Sequence, residues 1–504
     1  MLYETCARAE ELLQEVNVMT RAVAEQSSPL LRPGHAFSAW LIDTLPGLGS
    51  RVVDGSLSAC SFTDLANRAL ALLPPAADND VRSARRLIVE LGIVGSSVAS
   101  YSQRENLDLA RRDPGCSLAR LRVGEAGIPF RAYFNTLVAR SGTGHPNRDA
   151  YASLILWNAP EMSAYRGSSR ICTLPSVFDD GRIRTYTAEI GETLIIELFK
   201  RCETLEAAAN IAVQPIWADG AFTMSRDEIA ERFATARLML AGVRRLFLNF
   251  SRGDERGALS VAHFIDVFRQ YAVHWDHGDV APSGPQDVQF ILRDLMTGID
   301  MPGYVDHVER ILAALLADER QMVTDAAAQP SLPEVLLNEA GLSPQQLAAL
   351  PDSELTAVLR RYPVLGECYL LLELNARLSA AHLMVAKKYL YKPNHQRDQA
   401  GAAVAAPVPN DKGITELPES ALDMLNRARR RHLLSAIGRW RTAEVAAICG
   451  ATVQRDISIN DTLALFMPRP DRLHSSPTTL THLIPRKTLT ASVVDGSGAA
   501  PCRR

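Results

Sequence analysis

One histidine lies within an apolar stretch whose spacing could make it a ligand. His382 falls in residues 364–391, VLGECYLLLELNARLSAAHLMVAKKYLY, where apolar residues recur three and four positions apart. This spacing predicts one long helix with His382 on its apolar face. Ser379 and Ala386 lie one turn to either side, and their small side chains would leave room for a flat macrocycle beside the imidazole. A core histidine that makes one hydrogen bond is the other interpretation of the same pattern.

The chemistry that this position would support is axial ligation of haem iron. A neutral imidazole is a suitable proximal ligand for ferrous haem that must bind oxygen. Arg377, Lys387 and Lys388 lie toward the flanks of the helix and could pair with haem propionates. A solvated helix flank would carry the same three cations.

A second stretch, residues 268–298, joins a polar loop to an amphipathic helix that we expect to begin near Gln286. Ser283 and Asp287 can accept hydrogen bonds from the free N–H groups of the first turn. The same helix start, with its exposed backbone donors, can instead hold a carboxylate. The spacing alone leaves both interpretations open.

Two further features involve side chains that could take part in chemistry. Residues 151–170 hold an apolar run that ends at Trp157 and is followed by a polar loop. The sequence His274-Trp-Asp276-His277 offers the ligand types of a non-haem iron site. Three ligands within four residues have poor geometry for binding one face of a metal ion. The alternative interpretation is that His274 and His277 are histidines of a surface loop.

Together and in this order, these stretches resemble the haem-dependent monodechloroaminopyrrolnitrin synthase family, within the tryptophan/indoleamine dioxygenase superfamily. LILWNAP at 154–160 resembles that family's apolar run ending in Trp-Asn-Pro, with Ala159 inserted before Pro160. ARLSAAHLMVAKKYL at 376–390 is similar to the helix that supplies the proximal haem histidine. LPGL at 45–48 also matches a turn of the family. The superfamily pattern FR-x-Y, SG-x-Q and a final glycine is matched by Phe268, Arg269, Tyr271, Ser283, Gly284, Gln286 and Gly298.

The resemblance implies an all-helical fold, one b-type haem, and chemistry of dioxygen or peroxide on tryptophan or a related aromatic substrate. The reaction would belong to specialised metabolite biosynthesis, such as that of an antibiotic. It implies that His382 is the proximal iron ligand, with Ser379 and Ala386 in the haem pocket. It assigns substrate binding to Trp157, Ser283, Gly284 and Gln286. No catalytic acid or base is assigned, although His274 and His277 are candidates.

Two departures from the superfamily pattern bear on the substrate. An arginine that holds the substrate carboxylate usually follows the aromatic residue of the SG-x-Q helix, but here Ile291 follows Phe290 and the next arginine is Arg293. The glycine-rich loop expected after the proximal helix is replaced by an Ala/Pro-rich segment with only Gly401 and Gly413. The substrate and the reaction outcome are therefore left open.

The composition of the 504 residues excludes several classes of protein. The chain has 54 basic and 57 acidic residues, without the basic surplus that is typical of nucleic-acid binding. No run of about eighteen apolar residues is free of charge, so we expect no membrane span. The acidic N-terminal sequence MLYETCARAEELLQE is unlike a signal peptide, and eight scattered cysteines suggest free thiols. We therefore expect a cytoplasmic protein.

Apolar residues recur three and four positions apart in long segments that include 81–102, 226–250, 303–325 and 345–360, which predicts a mostly α fold. The resemblance implies that this is a large helical haem-binding fold. We expect an N-terminal helical region over 1–120, a catalytic region over 121–450 with a flexible loop at 392–418, and a disordered tail over 467–504. Pro393 is expected to end the His382 helix where this loop begins. A helix near residues 5–25 would suit a homodimer contact or intramolecular packing. A non-catalytic helical scaffold or binding protein remains the main alternative to an enzyme.

Overall fold

A computed structural model describes residues 35–221, 223–252, 259–399, 408 and 419–468. Of these residues, 69% are helical and 4% lie in strands, so the prediction of a mostly α fold is confirmed. Within this part of the chain, no helix combines the length and the apolar character that crossing a membrane requires. The N-terminal segment 5–25, for which a dimer contact and intramolecular packing were both left open, lies outside the described residues.

The N-terminal half is built around one long buried helix. This helix, α4, carries small and apolar residues on most of its surface, so neighbours can pack around nearly all of it. Asp80 caps its first turn by accepting a hydrogen bond from the Ser83 N–H at 2.6 Å. The helices of this half are α1 (His35–Asp43), α2 (Leu45–Val53), α3 (Ala59–Leu70), α4 (Val81–Glu105), α5 (Leu107–Arg112) and α6 (Phe130–Ser141).

The strands form two small antiparallel hairpins. Strand β1 (Arg122–Val123) pairs with β2 (Ile128–Pro129), and β3 (Met162–Arg166) pairs with β4 (Ser169–Leu174). A π-helix, Ala152–Trp157, precedes the second hairpin.

The remaining helices pack around a central trio, α7 (Ile190–Asp219), α8 (Arg226–Arg252) and α16 (Pro363–Ala386), which lie side by side. Their shared apolar faces form one large core that includes Leu205, Leu240 and Leu371. The others are α9 (Val261–Asp266), α10 (Val288–Thr297), α11 (Tyr304–Ile311), α12 (Ala317–Ala327), α13 (Leu332–Glu339), α14 (Pro344–Ala349), α15 (Asp352–Arg361), α17 (Lys392–Gln399), α18 (Glu419–Ala428), α19 (Thr442–Cys449) and α20 (Ile459–Leu463).

A second core belongs to the N-terminal half. It includes Phe62, Phe134 and Trp157, and it extends beyond residue 120 to Tyr186. Trp275 is fully buried in this core although it lies far along the sequence, because the segment after α9 returns to pack against α4 and α6.

Some segments with one continuous helical period are divided into shorter helices. The segment 303–325 becomes α11 and α12, because a new helix starts where the Glu319 carboxylate accepts the Leu316 N–H at 2.8 Å. The segment 345–360 is divided before Pro351, whose ring disfavours helical backbone at the preceding residue.

The prediction that Pro393 ends the His382 helix is wrong. The chain passes from α16 through a π-helix, Lys387–Tyr391, into α17. The wider π turn can accept a proline that has no N–H to donate and would clash in a regular turn. Residues 392–399 of the predicted loop are therefore helical, whereas 400–407 and 409–418 lie outside the described residues, as does the predicted tail from 469 onward.

Candidate functional site

A cavity of about 70 Å³ lies among α7, α8, α10, α11, α16 and α18. Apolar side chains form most of its wall, and three of them, Phe199, Phe247 and Phe290, are aromatic. The residues that line it extend along the sequence from Phe199 to Arg429. Tertiary packing of the helices therefore creates this cavity.

His382 lies in the cavity wall. Its imidazole is stacked on Phe247, with 5.0 Å between ring centroids, and meets the edge of Phe290 at 6.0 Å. No described residue forms a hydrogen bond with either of its nitrogens. Burial, followed by the charges of Arg429 and Arg293, lowers the pKa of His382 to about 4. The imidazole is therefore neutral at physiological pH and has a lone pair available for a ligand.

The residues predicted beside His382 do line the cavity. Ser379 and Ala386 lie one turn before and one turn after it on the same wall. The Ser379 hydroxyl donates to the Asn375 carbonyl oxygen at 2.9 Å, so it is already satisfied within the helix. The two small side chains thus leave open space on both sides of the imidazole.

Of the four residues assigned to substrate binding, only Gly284 lines the cavity. Ser283 and Gln286 are buried in the same turn but do not reach the cavity, and Gln286 Nε2 donates to the Ala281 carbonyl oxygen at 2.7 Å. Gln286 therefore stabilises the loop that precedes α10.

The assignment of Trp157 to the same pocket does not agree with its position. Trp157 lies in the N-terminal core, with its ring centroid 5.3 Å from that of His145. The Arg85 guanidinium lies 6.0 Å from the Trp157 ring centroid. The π-helix that ends at Trp157 packs against α4, and this packing directs the indole into that core.

The alternative metal site at His274, Asp276 and His277 does not form. His274 Nδ1 lies 2.7 Å from Asp279 Oδ1, and His277 Nε2 lies 2.8 Å from the Arg112 carbonyl oxygen. Asp276 Oδ2 lies 3.4 Å from Arg131 Nη2, and its Oδ1 accepts the His277 backbone N–H at 2.8 Å, so the carboxylate pairs with neither imidazole. In the described part of the chain, no three His, Cys, Asp or Glu side chains are arranged to hold a metal ion. These residues fasten a surface loop, and neither histidine lines the cavity.

The flanking cations on the His382 helix also have other roles. Lys387 pairs with Asp423 at 3.1 Å, Lys388 donates to the Ser251 carbonyl oxygen at 2.7 Å, and Arg377 is exposed. Arg429, which follows α18, supplies a cation to the cavity wall instead.

Arg429 is held firmly in place. Its Nε lies 2.9 Å from Asp294 Oδ1 and its Nη2 lies 2.5 Å from Asp294 Oδ2, and its guanidinium lies 4.5 Å from the Phe290 ring centroid. Nothing in the arginine-rich sequence around residue 429 distinguishes this arginine from its exposed neighbours.

A second histidine, His307 on α11, lines the same cavity and was missed by the sequence analysis. Its Nδ1 accepts a hydrogen bond from Arg310 Nη2 at 3.1 Å. Burial and the Arg310 charge lower the pKa of His307 to about 4. His307 and His382 thus differ in one respect that matters for ligation, because His307 already has a protein partner.

Two carboxyl groups also reach the cavity, and the sequence analysis gave neither of them a role there. Asp287 caps α10 by accepting the Phe290 N–H at 3.0 Å, as its position at the helix start predicted. Oε1 of Glu206 on α7 lies 3.4 Å from Arg293 Nη2, and Oε2 of Glu206 accepts no hydrogen bond from the described residues. Ile291, at the position where the superfamily carries arginine, contributes only apolar wall.

The chemistry of the residues around His382 suits a haem bound through this histidine, but the cavity of about 70 Å³ must widen to admit the macrocycle. The imidazole is neutral and unpaired, its neighbours along the helix are small, and the surrounding wall is largely apolar. Arg429 adds a fixed guanidinium whose charge is already balanced by Asp294, so it can offer a hydrogen bond to a carboxylate but no surplus charge.

Neither a protein-family model nor a curated protein matches this sequence.

Proposed function

We propose that this chain is a cytoplasmic haem-dependent oxygenase that acts on tryptophan or a related aromatic substrate, with His382 as the proximal iron ligand. One observation carries the proposal: a neutral imidazole without a hydrogen-bond partner among the described residues lies in the wall of an apolar cavity, between two small residues. Because no described residue hydrogen-bonds to the imidazole, its nitrogens are left for a ligand in the cavity.

Each neighbouring group has a definable task in this proposal. His382 would hold the iron, and Phe247 fixes the plane of its imidazole by stacking. Ser379 and Ala386 keep the space beside it open, and Arg429 would bind a carboxylate of the haem or of the substrate. The bound haem supplies the activation of dioxygen or peroxide. Phe199, Phe290 and Ile291 exclude water from the substrate.

The visible absorption spectrum of the full chain, produced with haem supply, tests this proposal directly. We expect a strong Soret band with about one haem per chain, which His382→Ala removes or shifts. Added imidazole should restore the band in His382→Ala, since the vacated space can accept the free ligand.

His307→Ala is the matched control, because it removes the other imidazole of the same cavity. It should keep the Soret band of the parent. A band that depends on His307 instead of His382 would contradict the assignment of the ligand. Absence of any band after haem reconstitution would contradict the function and favour a helical binding protein.

Tryptophan added to the haem-loaded protein tests the substrate class. We expect a saturable change in the Soret region, because a ligand that enters the cavity changes the surroundings of the haem. A spectrum that is unaffected by tryptophan and by simpler indoles would contradict an aromatic substrate.

A further inference from the structure

The cavity has an excess of buried carboxyl groups on one side. Glu203 and Glu206 on α7 are each 1% exposed, and Asp287 at the start of α10 is 8% exposed. Among the described residues, the Arg293 guanidinium approaches this group, with its Nη2 3.4 Å from Glu206 Oε1. Lys200, one turn before Glu203, already donates to the carbonyl oxygens of Leu156 and Pro175 at 2.6 and 2.7 Å.

Buried carboxylates are costly unless a cation and hydrogen bonds compensate for the lost water. Here Oε2 of both Glu203 and Glu206 accepts no hydrogen bond from the described protein, and the Asp287 carboxyl lies within hydrogen-bond reach of the Glu206 side chain. Burial raises the pKa of Glu203 and of Asp287 well above its usual range, and raises that of Glu206 against the opposing charge of Arg293. A cation that contacts this group would therefore stabilise its ionised form.

Only part of this group faces the cavity. Glu206 and Asp287 line it, whereas Glu203, one turn earlier on α7, does not. Phe199 lies two turns before Glu206, and Phe290 follows Asp287 by one turn, so apolar aromatic surface adjoins the two carboxyls. A ligand that carries an ammonium group on a short chain from an aromatic ring would contact both the carboxyls and the aromatic surface of this wall.

We infer that Glu206, supported by Asp287, binds the protonated amine of the ligand that occupies the cavity, while the aromatic part of that ligand packs among Phe199, Phe247 and Phe290. The inference rests on the proposed function in that it takes the cavity as the substrate site, but it does not require haem. A metal ion does not meet the same need, because no three suitable side chains of the described residues are arranged to hold one.

Binding of two small probes to the haem-reconstituted full chain tests this inference. The probes are 2-phenylethylamine, whose amine has a pKa of about 10 and is protonated at pH 7, and 2-phenylethanol, its neutral analogue of the same size. We expect the amine to bind at least about tenfold more tightly by calorimetry, because a charge-assisted hydrogen bond to a buried carboxylate is strong. Glu206→Gln should abolish the difference while leaving 2-phenylethanol binding within about twofold.

Glu203→Gln is the matched control, since it makes the same change one turn earlier on the same helix without touching the cavity wall. It should preserve the preference for the amine. Equal binding of the two probes to the parent, or an unchanged preference in Glu206→Gln, would overturn the inference. An equal loss in Glu203→Gln would also overturn it, by showing a general charge effect.

The Soret region recorded in the same titrations separates this inference from the proposed function. A protein without a Soret band that still prefers the amine through Glu206 would support the amine site and contradict the haem enzyme. A Soret band that depends on His382, without any preference for the amine, would support the haem enzyme and contradict the amine site. If the amine coordinated iron directly, it would shift the Soret band in both the parent and Glu206→Gln. A preference for the amine that persists in Glu206→Gln would count against the inference.

Discussion

The imidazole of His382 is stacked on the ring of Phe247, with 5.0 Å between the ring centroids and 28° between their planes. Phe247 belongs to α8 and His382 to α16, so this contact joins two neighbouring helices of the central core. The contact fixes the plane of an imidazole that has no hydrogen bond to hold it. Packing, and not a polar partner, therefore orients the candidate ligand.

Phe247→Ala should lower the free energy of unfolding by about 3–5 kcal/mol, because it removes a large side chain that is 4% exposed and leaves a space in the core. Urea denaturation measures the change. Met384→Ala on α16 is the control, since Met384 is 52% exposed and its loss should cost no more than about 0.5 kcal/mol. Equal effects of the two substitutions would show that Phe247 is not packed as described.

Arg429→Met should destabilise the protein by about 3–5 kcal/mol, because it leaves the Asp294 carboxylate buried without its cation. Asp294 is fully buried, and its remaining side-chain contact is the Tyr304 hydroxyl, which donates to Oδ2 at 2.8 Å. The double variant Arg429→Met/Asp294→Leu should recover part of this loss. Denaturation of the single and double variants gives the coupling energy, and strictly additive effects would contradict a direct ion pair.

Glu319→Gln should stabilise the protein increasingly as the pH rises from 4.5 to 7. Burial raises the pKa of Glu319 to about 7 in the folded protein, from 4.5. Below pH 4.5 the carboxyl is protonated in both states, and at higher pH the unfolded chain ionises first, so the wild type loses stability. The variant cannot ionise at this position and retains an oxygen that accepts the Leu316 N–H. Its free energy of unfolding should therefore exceed that of the wild type by an amount on the order of 3 kcal/mol above pH 7.

Denaturation of both proteins at a series of pH values measures the Glu319 effect. Glu334→Gln is the control, because Glu334 makes the corresponding cap at the start of α13 from an exposed position. A stability difference between Glu319→Gln and wild type that does not change with pH would contradict the prediction.

Gly95→Ala should cost about 1–3 kcal/mol through overpacking. A Cβ at Gly95 on α4 would lie 2.7 Å from Trp275 Cζ2, and the Trp275 ring is fully buried. Gly47→Ala on α2 should instead stabilise the protein by about 0.5–1 kcal/mol, because the site is open and alanine restricts the unfolded chain. Thermal unfolding of the pair distinguishes them, and a stabilising Gly95→Ala would contradict the close approach of Trp275.

The long helices were predictable because their apolar spacing directly determines which face is buried. The segments 81–102 and 226–250 correspond to α4 and α8 with ends that agree within a few residues. The ends of shorter helices depend on single capping contacts, such as that of Glu319 with Leu316, and a continuous apolar period hides them. Pro393 was misinterpreted for a related reason, because a π turn removes the local conflict that proline usually creates.

The sequence by itself determined the helical class, the apolar face that carries His382, and the small residues on either side of it. These properties depend on spacing within one helix, which fixes the face on which a side chain lies. Only the tertiary structure decided what that face meets: Phe247, His307, Arg429 and the Glu206 carboxyl reach the same cavity from four other segments, while Trp157 lies in a different core. Periodicity specifies that a face is buried, but the packing of distant helices specifies its partners.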